Sequence, residues 1–374
     1  MKNSVVSGTF LYKRSYGKRR VKRGATELIL LLSILCLYSC EQKQDEYSIP
    51  KFKKELSKEF DLLGKELEFG SVNSIGLYKD YLVLVALDSR TSRFLHIVDK
   101  RTGEFIFSTA ALGRGPGEIA NTPYMSLVGH ECYLYDRMSQ VTQVYDLDLV
   151  LKGEVGFSRT IEERSLTFPP IGIYYGPEGK VVFSNESYIQ RDPTMTEPRI
   201  VLEEGSAQYT YNEYPIPDRV RTWYMYMTPH LAFSPDFSKM AVVPAYGAIL
   251  ERFNLSEGIS LIGTDRFVEP DFTIKDNRPD FSEHAIPYGF TNLTCTNNKI
   301  IVGMVGEVVS GLGTRKLDFP HFPIIAVLDW NGRPLMKVRN SLNIECLAYD
   351  EDEDVVYAVV RDSKDISYLG KMSL

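Results

Sequence analysis

The chain is poor in cysteine and histidine, and its polar residues form no cluster at metal-ligand spacing. Five cysteines and five histidines occur in 374 residues. Beyond Cys36 and Cys40 near the N-terminus, Cys132, Cys295 and Cys346 lie far apart and form no C-x-x-C pair. A disulfide framework is therefore not implied, and each thiol is expected to act as a small buried hydrophobe on a strand. His96, His130, His230, His284 and His321 are scattered, and no H-E-x-x-H, G-x-S-x-G or EF-hand pattern is present. No catalytic residue, metal ligand or cofactor is implied. Positive charge is confined to one end. The first 40 residues carry eight Lys or Arg against Glu27 alone, a balance of +7, which leaves the remainder near −13. A domain that acidic lacks the clustered basic surface a phosphate backbone requires, so nucleic acid is not an expected partner.

The N-terminus reads as an export signal. Basic residues from Lys13 to Arg23 precede the apolar run Leu28 to Leu37, which ends in Ser39 and Cys40. A run of about ten residues is too short to span ~30 Å of hydrocarbon as a helix. A cysteine directly after a small residue is what lipid transfer and cleavage need, and the tetrapeptide LYSC resembles the lipobox of bacterial lipoproteins. Residues 1–39 are accordingly expected to be a signal peptide and Cys40 a lipidated residue. Residues 40–65 would form a tether and lead-in, with EQKQDEYSIP polar and flexible. The stretch 51–66 reads either as a short amphipathic helix or as an extended lead-in. The expected location is the cell envelope, at the outer membrane, with the periplasmic or surface face left open.

From residue 66 onward the composition turns to short runs of β-branched, aromatic and aliphatic residues separated by Gly, Asp, Asn or Pro turns. Aromatics at 12%, including 23 tyrosines, favour strands. Residues 72–110 supply VNSIGLY, YLVLVAL, RFLHIVD and GEFIFSTA, four strands joined by tight turns. The same grammar recurs from about 124, 171, 230, 290 and 344, in degenerate letters, as expected of repeats that share packing rather than sequence. Six units at spacings of roughly 45 to 60 residues predict an all-β, six-bladed propeller of four-stranded antiparallel blades over 66–374. The last unit shows only three strands, so an N-terminal strand, read at KELEFGS near residue 68, is expected to close the ring.

Between the first and second units lies ALGRGPGE, residues 111–118. Its glycines permit left-handed turns and Pro116 fixes one dihedral, so the loop reads first as a tight crossover braced by Arg114 and Glu118. Such loops also expose amides to anions, with Arg114 then at the channel mouth. With the lipobox and the six units, this loop resembles the TolB-like six-bladed propeller lipoproteins. The resemblance implies a ring-shaped envelope protein and leaves the ligand open, because many members of that family have no defined activity.

Two loops combine arginine with large aromatics, the types that dominate recognition surfaces. Residues 217–230 hold Arg219, Arg221, Trp223 and Tyr224, and residues 273–289 hold Arg278, His284 and Tyr288. They are the candidate ligand loops, for a protein, peptide or glycan partner. The acidic run Asp350 to Asp354 lacks the EF-hand glycine and reads as a solvated turn. The expected role is a non-enzymatic binding or scaffold propeller held at the membrane by its N-terminal lipid. A calcium-dependent lactonase-like or esterase-like hydrolase is the alternative, since some six-bladed propellers hold calcium in their channel. One outcome tests the anchor: Cys40→Ala is expected to leave the domain folded and move it from the membrane fraction to the soluble one, and retention at normal levels would refute lipid anchoring.

Overall fold

A strand that is apolar at consecutive positions must bury both faces, and several here do. YLVLVALD, RFLHIVD and VVYAVVR are each buried at five successive residues. The computed structural model describes residues 51–162, 170–185, 198–216, 222, 225–226, 228–245, 247–268, 273–275, 278–280, 289–304 and 323–374. Two short strands, β1 (Lys54–Ser57) and β2 (Asp61–Leu63), come first. Blade 1 is β3 (Val72–Tyr78), β4 (Tyr81–Asp88), β5 (Arg93–Asp99) and β6 (Phe105–Leu112), with β7 (Glu118–Ile119) in parallel beside β6. Blade 2 is β8 (Tyr124–Val128), β9 (Glu131–Asp136), β10 (Val141–Asp146) and β11 (Phe157–Glu162), interrupted by a helical turn α1 (Leu147–Val150). Blade 3 is β12 (Gly172–Tyr175), β13 (Val181–Ser184), β14 (Ile200–Glu204) and β15 (Ala207–Tyr211). Blade 4 is β16 (His230–Phe233), β17 (Lys239–Val243), β18 (Ala248–Asn254) and β19 (Ser260–Val268). A two-stranded ribbon, β20 (Thr273–Lys275) and β21 (Arg278–Asp280), leads to blade 5, β22 (Phe290–Cys295), β23 (Lys299–Met304), β24 (Ile324–Asp329) and β25 (Pro334–Arg339). Blade 6 is β26 (Asn343–Asp350), β27 (Val355–Arg361) and β28 (Ser367–Ser373), completed by β2.

The sheets stack face to face, so successive residues of a central strand feed opposite seams. On β4, Val83 and Val85 pack toward blade 2, whereas Leu82, Leu84 and Ala86 pack toward blade 6. On β17, Met240 and Val242 join blade 3, while Ala241 and Val243 join blade 5. Six apolar clusters result, one at each seam, and the cluster between blades 6 and 1 closes the ring. The three thiols behave as expected. Cys132, Cys295 and Cys346 are free, buried in these clusters, and pushed well above the usual thiol range by burial.

The closing strand lies earlier than the sequence reading placed it. Asp61–Leu63, not KELEFGS, pairs antiparallel with β28, and Leu67 adds one backbone hydrogen bond to Ser367. The stretch 51–66 is extended rather than helical, and β1 pairs in parallel with the outer edge of blade 5. The propeller thus begins upstream of residue 66. In blade 2 the segment LKGEVGF precedes the fourth strand, and only its Phe157 belongs to it. Asp146 accepts from the amides of Asp148 and Leu149 and caps the α1 turn, which delays β11 to Phe157. The acidic run after β26 is likewise more than a solvated turn. Asp350 and Glu353 hold Lys100 of blade 1 at 2.8 and 2.9 Å, and only 7% of that lysine side chain is exposed.

Phe60, 6% exposed, fills the space left by the absent side chain of Gly370 on β28. Phe60→Ala is expected to cost about 3–5 kcal/mol, the usual range for truncating a buried phenylalanine. A shift of the denaturant midpoint worth less than about 1 kcal/mol would show that the N-terminal strand does not hold the ring closed.

Candidate functional site

The first strand of every blade, β3, β8, β12, β16, β22 and β26, stands at a sheet edge and has a partner on one side only. In an antiparallel ladder such an edge leaves N–H and C=O groups unpaired at alternate residues. These six strands line one cavity of about 690 Å³, the central channel. Its volume falls within the roughly 300–1,000 Å³ of small-ligand clefts.

The described wall is uncharged. No Asp, Glu, Lys or Arg is among the described residues lining the channel, where Asn73, Ser74, Thr228, Asn292 and Thr294 supply amide and hydroxyl groups. His230 also lines it, and burial pushes its imidazole down to about 4, so the ring is neutral at neutral pH. Ser74 Oγ is buried with no hydrogen-bond partner among the described residues.

The two halves of the wall are built differently. In blades 5, 6 and 1 the inner strand carries a β-bulge at the equivalent position. The unpaired residues are Asn292 between Thr291 and Leu293, Glu345 between Ile344 and Cys346, and Asn73 between Val72 and Ser74. The inner strands of blades 2, 3 and 4 pair without interruption. A bulge withdraws one residue from the ladder and re-aims its side chain, which is why bulges gather beside binding sites. Asn73 is exposed in the channel, and Asn292 donates its amide Nδ2 to the Glu345 carbonyl, tying two bulges together. The Glu345 carboxylate turns away to Arg361 and accepts from Ser367 Oγ at 3.3 Å. On the opposite half, Tyr124, Tyr174 and Phe233 line the channel. The Tyr174 ring lies 6.2 Å from that of Tyr124 and 5.2 Å from that of Phe233. Gly172 makes room for this arrangement, since a Cβ there would meet the Tyr174 ring at 2.9 Å.

Of the residues singled out in the sequence, Arg114 and Glu118 are described with their side chains. Arg114 is exposed on the loop after β6, and Glu118 Oε2 accepts from the Gly115 amide at 2.7 Å. Gly117, at φ +73°, receives the Tyr145 hydroxyl on its carbonyl at 2.5 Å. The GRGPG stretch is therefore a tight crossover, and neither Arg114 nor Glu118 lines the channel, whose wall on this connection begins at Thr122. Arg219, Arg221, Trp223, Tyr224, His284, Tyr288 and Cys40 lie outside the described residues, as does the side chain of Arg278. The described end of the first loop does reach the site, through Thr228, Pro229 and His230. His96 is fully buried, with Ser108 Oγ at 2.7 Å, the Ala86 carbonyl at 2.9 Å and the Phe69 ring stacked at 4.2 Å. It is a packed strand residue, as its position inside RFLHIVD implied. The bulged asparagines were missed, although VNSI, TNLT and IECL superimpose when the repeats are aligned on their first strands.

No protein-family model and no curated protein sequence matches the chain. Solved structures do. A crystal structure from Bacteroides fragilis, described as an exported protein, aligns over 86% of this chain and 99% of its own at 11% identity and TM-score 0.54. The WD40 repeats of RRP9 align over 87% and 100% respectively, at 8% identity and TM-score 0.51. Identities this low speak for the fold alone, and with the six closed sheets they define the chain as a six-bladed β-propeller. Among the described residues no helix is long and apolar enough to cross a membrane.

The histidines set an acid dependence. Burial holds His230 and His96 below their ordinary value of 6.5, so between about pH 6.5 and 4 the unfolded chain binds protons that the native one does not. Stability is expected to be full above pH 7 and to fall through this window, with His230 contributing on the order of 1–3 kcal/mol. Below it, Asp88, Asp236 and Asp350, held below the usual carboxylate range, add a further loss. Melting temperatures of wild type and His230→Gln from pH 8 to 4 test this, because an unchanged slope in the variant would remove His230 from the account.

Proposed function

We propose that this protein is an exported, lipid-anchored binding propeller without catalytic activity, which receives an uncharged polar ligand in its central channel. The observation that carries the reading is the channel wall. It combines unpaired strand edges, amide and hydroxyl side chains and a neutral imidazole, with no formal charge among its described residues. A charged ligand entering such a wall would lose hydration without gaining a counter-ion, whereas a neutral polar one exchanges water for fixed hydrogen bonds. Export and anchoring rest on the basic leader, the apolar run and Cys40. The B. fragilis protein of similar fold, itself described as exported, agrees with that placement. The TolB-like family remains the affiliation that the crossover loop and lipobox favour.

The calcium-dependent hydrolase ranks second. Calcium prefers carboxylates among its six to eight oxygen ligands. The described wall offers amide, hydroxyl and main-chain oxygens, so acids would have to come from other parts of the chain.

Asn73 is exposed in the channel, so Asn73→Trp fills the site with little effect on the core. Neutral compounds that raise the melting temperature of the wild-type protein are expected to lose at least about tenfold in affinity for this variant, or about 1.4 kcal/mol. Ligands that bind both proteins equally would place recognition outside the channel. Turnover of a lactone or ester that a chelator abolishes would replace this reading with the hydrolase.

A further inference from the structure

We infer that the channel ligand is a neutral saccharide, the end of a glycan chain seated between an amide wall and an aromatic wall. This rests on the channel being the binding site and adds the chemical class of what binds there. A sugar ring has two kinds of surface. Its faces carry C–H groups and pack on aromatic rings, and its rim carries hydroxyls that both donate and accept hydrogen bonds. A site for it therefore needs an aromatic surface, neutral two-way partners across from that surface, and no charge.

The channel has these parts, and the asymmetry of the ring supplies them. Blades 2, 3 and 4 contribute Tyr124, Tyr174 and Phe233 from uninterrupted inner strands. Tyr124 and Phe233 remain half-buried where they line the cavity. Blades 5, 6 and 1 are the bulged half, where Asn73 and Asn292 leave the ladder. An asparagine amide offers two donors and an acceptor, which matches neighbouring hydroxyls on a sugar rim. One Asn292 donor is used on Glu345, which orients the amide and leaves its oxygen and second hydrogen. Asn73 stands exposed on the channel wall. The buried, unpartnered Ser74 Oγ beside it is a polar atom whose desolvation a ligand hydroxyl would offset. His230, neutral through the physiological range, adds one donor and one acceptor.

An extended peptide is the competing class, since it too is neutral along its backbone. It would pair with the unpaired strand edges and would have no need of the aromatic half. The bulges argue against it, because a bulge interrupts the regular edge that strand addition uses.

Isothermal titration of the full chain in detergent decides between the classes. The probes are maltotetraose, cellotetraose, chitotetraose and mannotetraose, with tetragalacturonate as the charged sugar and tetra-alanine as the peptide. At least one neutral tetrasaccharide is expected to bind at least about tenfold tighter than tetragalacturonate. Its affinity is expected to fall at least about tenfold in Asn73→Ala and in Tyr124→Ala, and to survive in Tyr124→Phe, which keeps the ring. Asn73 is exposed, so that variant tests the proposal even if Tyr124→Ala fails to fold. No binding by any neutral sugar, or binding that Asn73→Ala leaves unchanged, overturns the saccharide. If tetra-alanine binds instead and Asn73→Trp abolishes it, the channel remains the site and only the class falls. If nothing that binds is sensitive to Asn73→Trp, both fall.

Discussion

Everything in this protein follows from how a ring of small sheets disposes of its faces and edges. Each blade must bury two faces and deal with two edges. Stacking the blades radially buries the faces in six apolar seams. The outer edges are treated individually. β1 and β2 cover those of blades 5 and 6, and charged residues such as Arg159 on β11 and Asp265 on β19 mark others. The inner edges have nowhere to go but the axis. The channel is thus a by-product of closure, and its supply of unpaired main-chain groups exists before any side chain is chosen.

The seams between blades are mostly aliphatic and would be interchangeable without a few buried charges. Arg199 of blade 3 is fully buried and holds Glu251 of blade 4 through two hydrogen bonds of 2.9 and 2.6 Å, with the Tyr226 hydroxyl on the same carboxylate at 2.7 Å. Arg252 of blade 4 reaches the Trp330 carbonyl of blade 5 at 2.7 Å. Lys100, which burial alone would pull down, is held above its ordinary value by hydrogen bonds to Asp350 and Glu353 across the closing seam. Such pairs add little net stability compared with well-packed apolar residues. A blade against the wrong neighbour, however, leaves a buried charge unpaired at a cost of about 3–5 kcal/mol.

The bulges show how small a local change converts closure into a site. Skipping one residue in β3, β22 and β26 turns Asn73 and Asn292 out of their ladders. The unskipped strands β8, β12 and β16 keep Tyr124, Tyr174 and Phe233 in line. One side of the channel therefore carries the two asparagines, and Tyr124, Tyr174 and Phe233 line the other.

Blade count and most strand positions were legible in the letters, because a strand buried on both faces is a continuous apolar run bounded by turns, as in YLVLVALD or VVYAVVR. The closing strand was misplaced by a few residues because DLL is three residues long with two exposed, and its pairing with β28 is a long-range event that no local pattern records. The α1 turn was missed for a similar reason, since Asp146 acts as a cap only once β10 has ended there. In the candidate site, residue type pointed to arginine-rich and aromatic loops, and to Arg114 and Glu118. Folding spends Glu118 on its own crossover and leaves Arg114 on the surface. What the amino-acid sequence determined by itself is the six-unit β architecture and the buried thiols, because these depend on composition and short-range pattern. The channel, the lack of charge on its described wall and the placing of Asn73 and Asn292 opposite Tyr124, Tyr174 and Phe233 were decided only by tertiary structure. They depend on strand register and on which edges meet at the axis, and neither is written in any single segment.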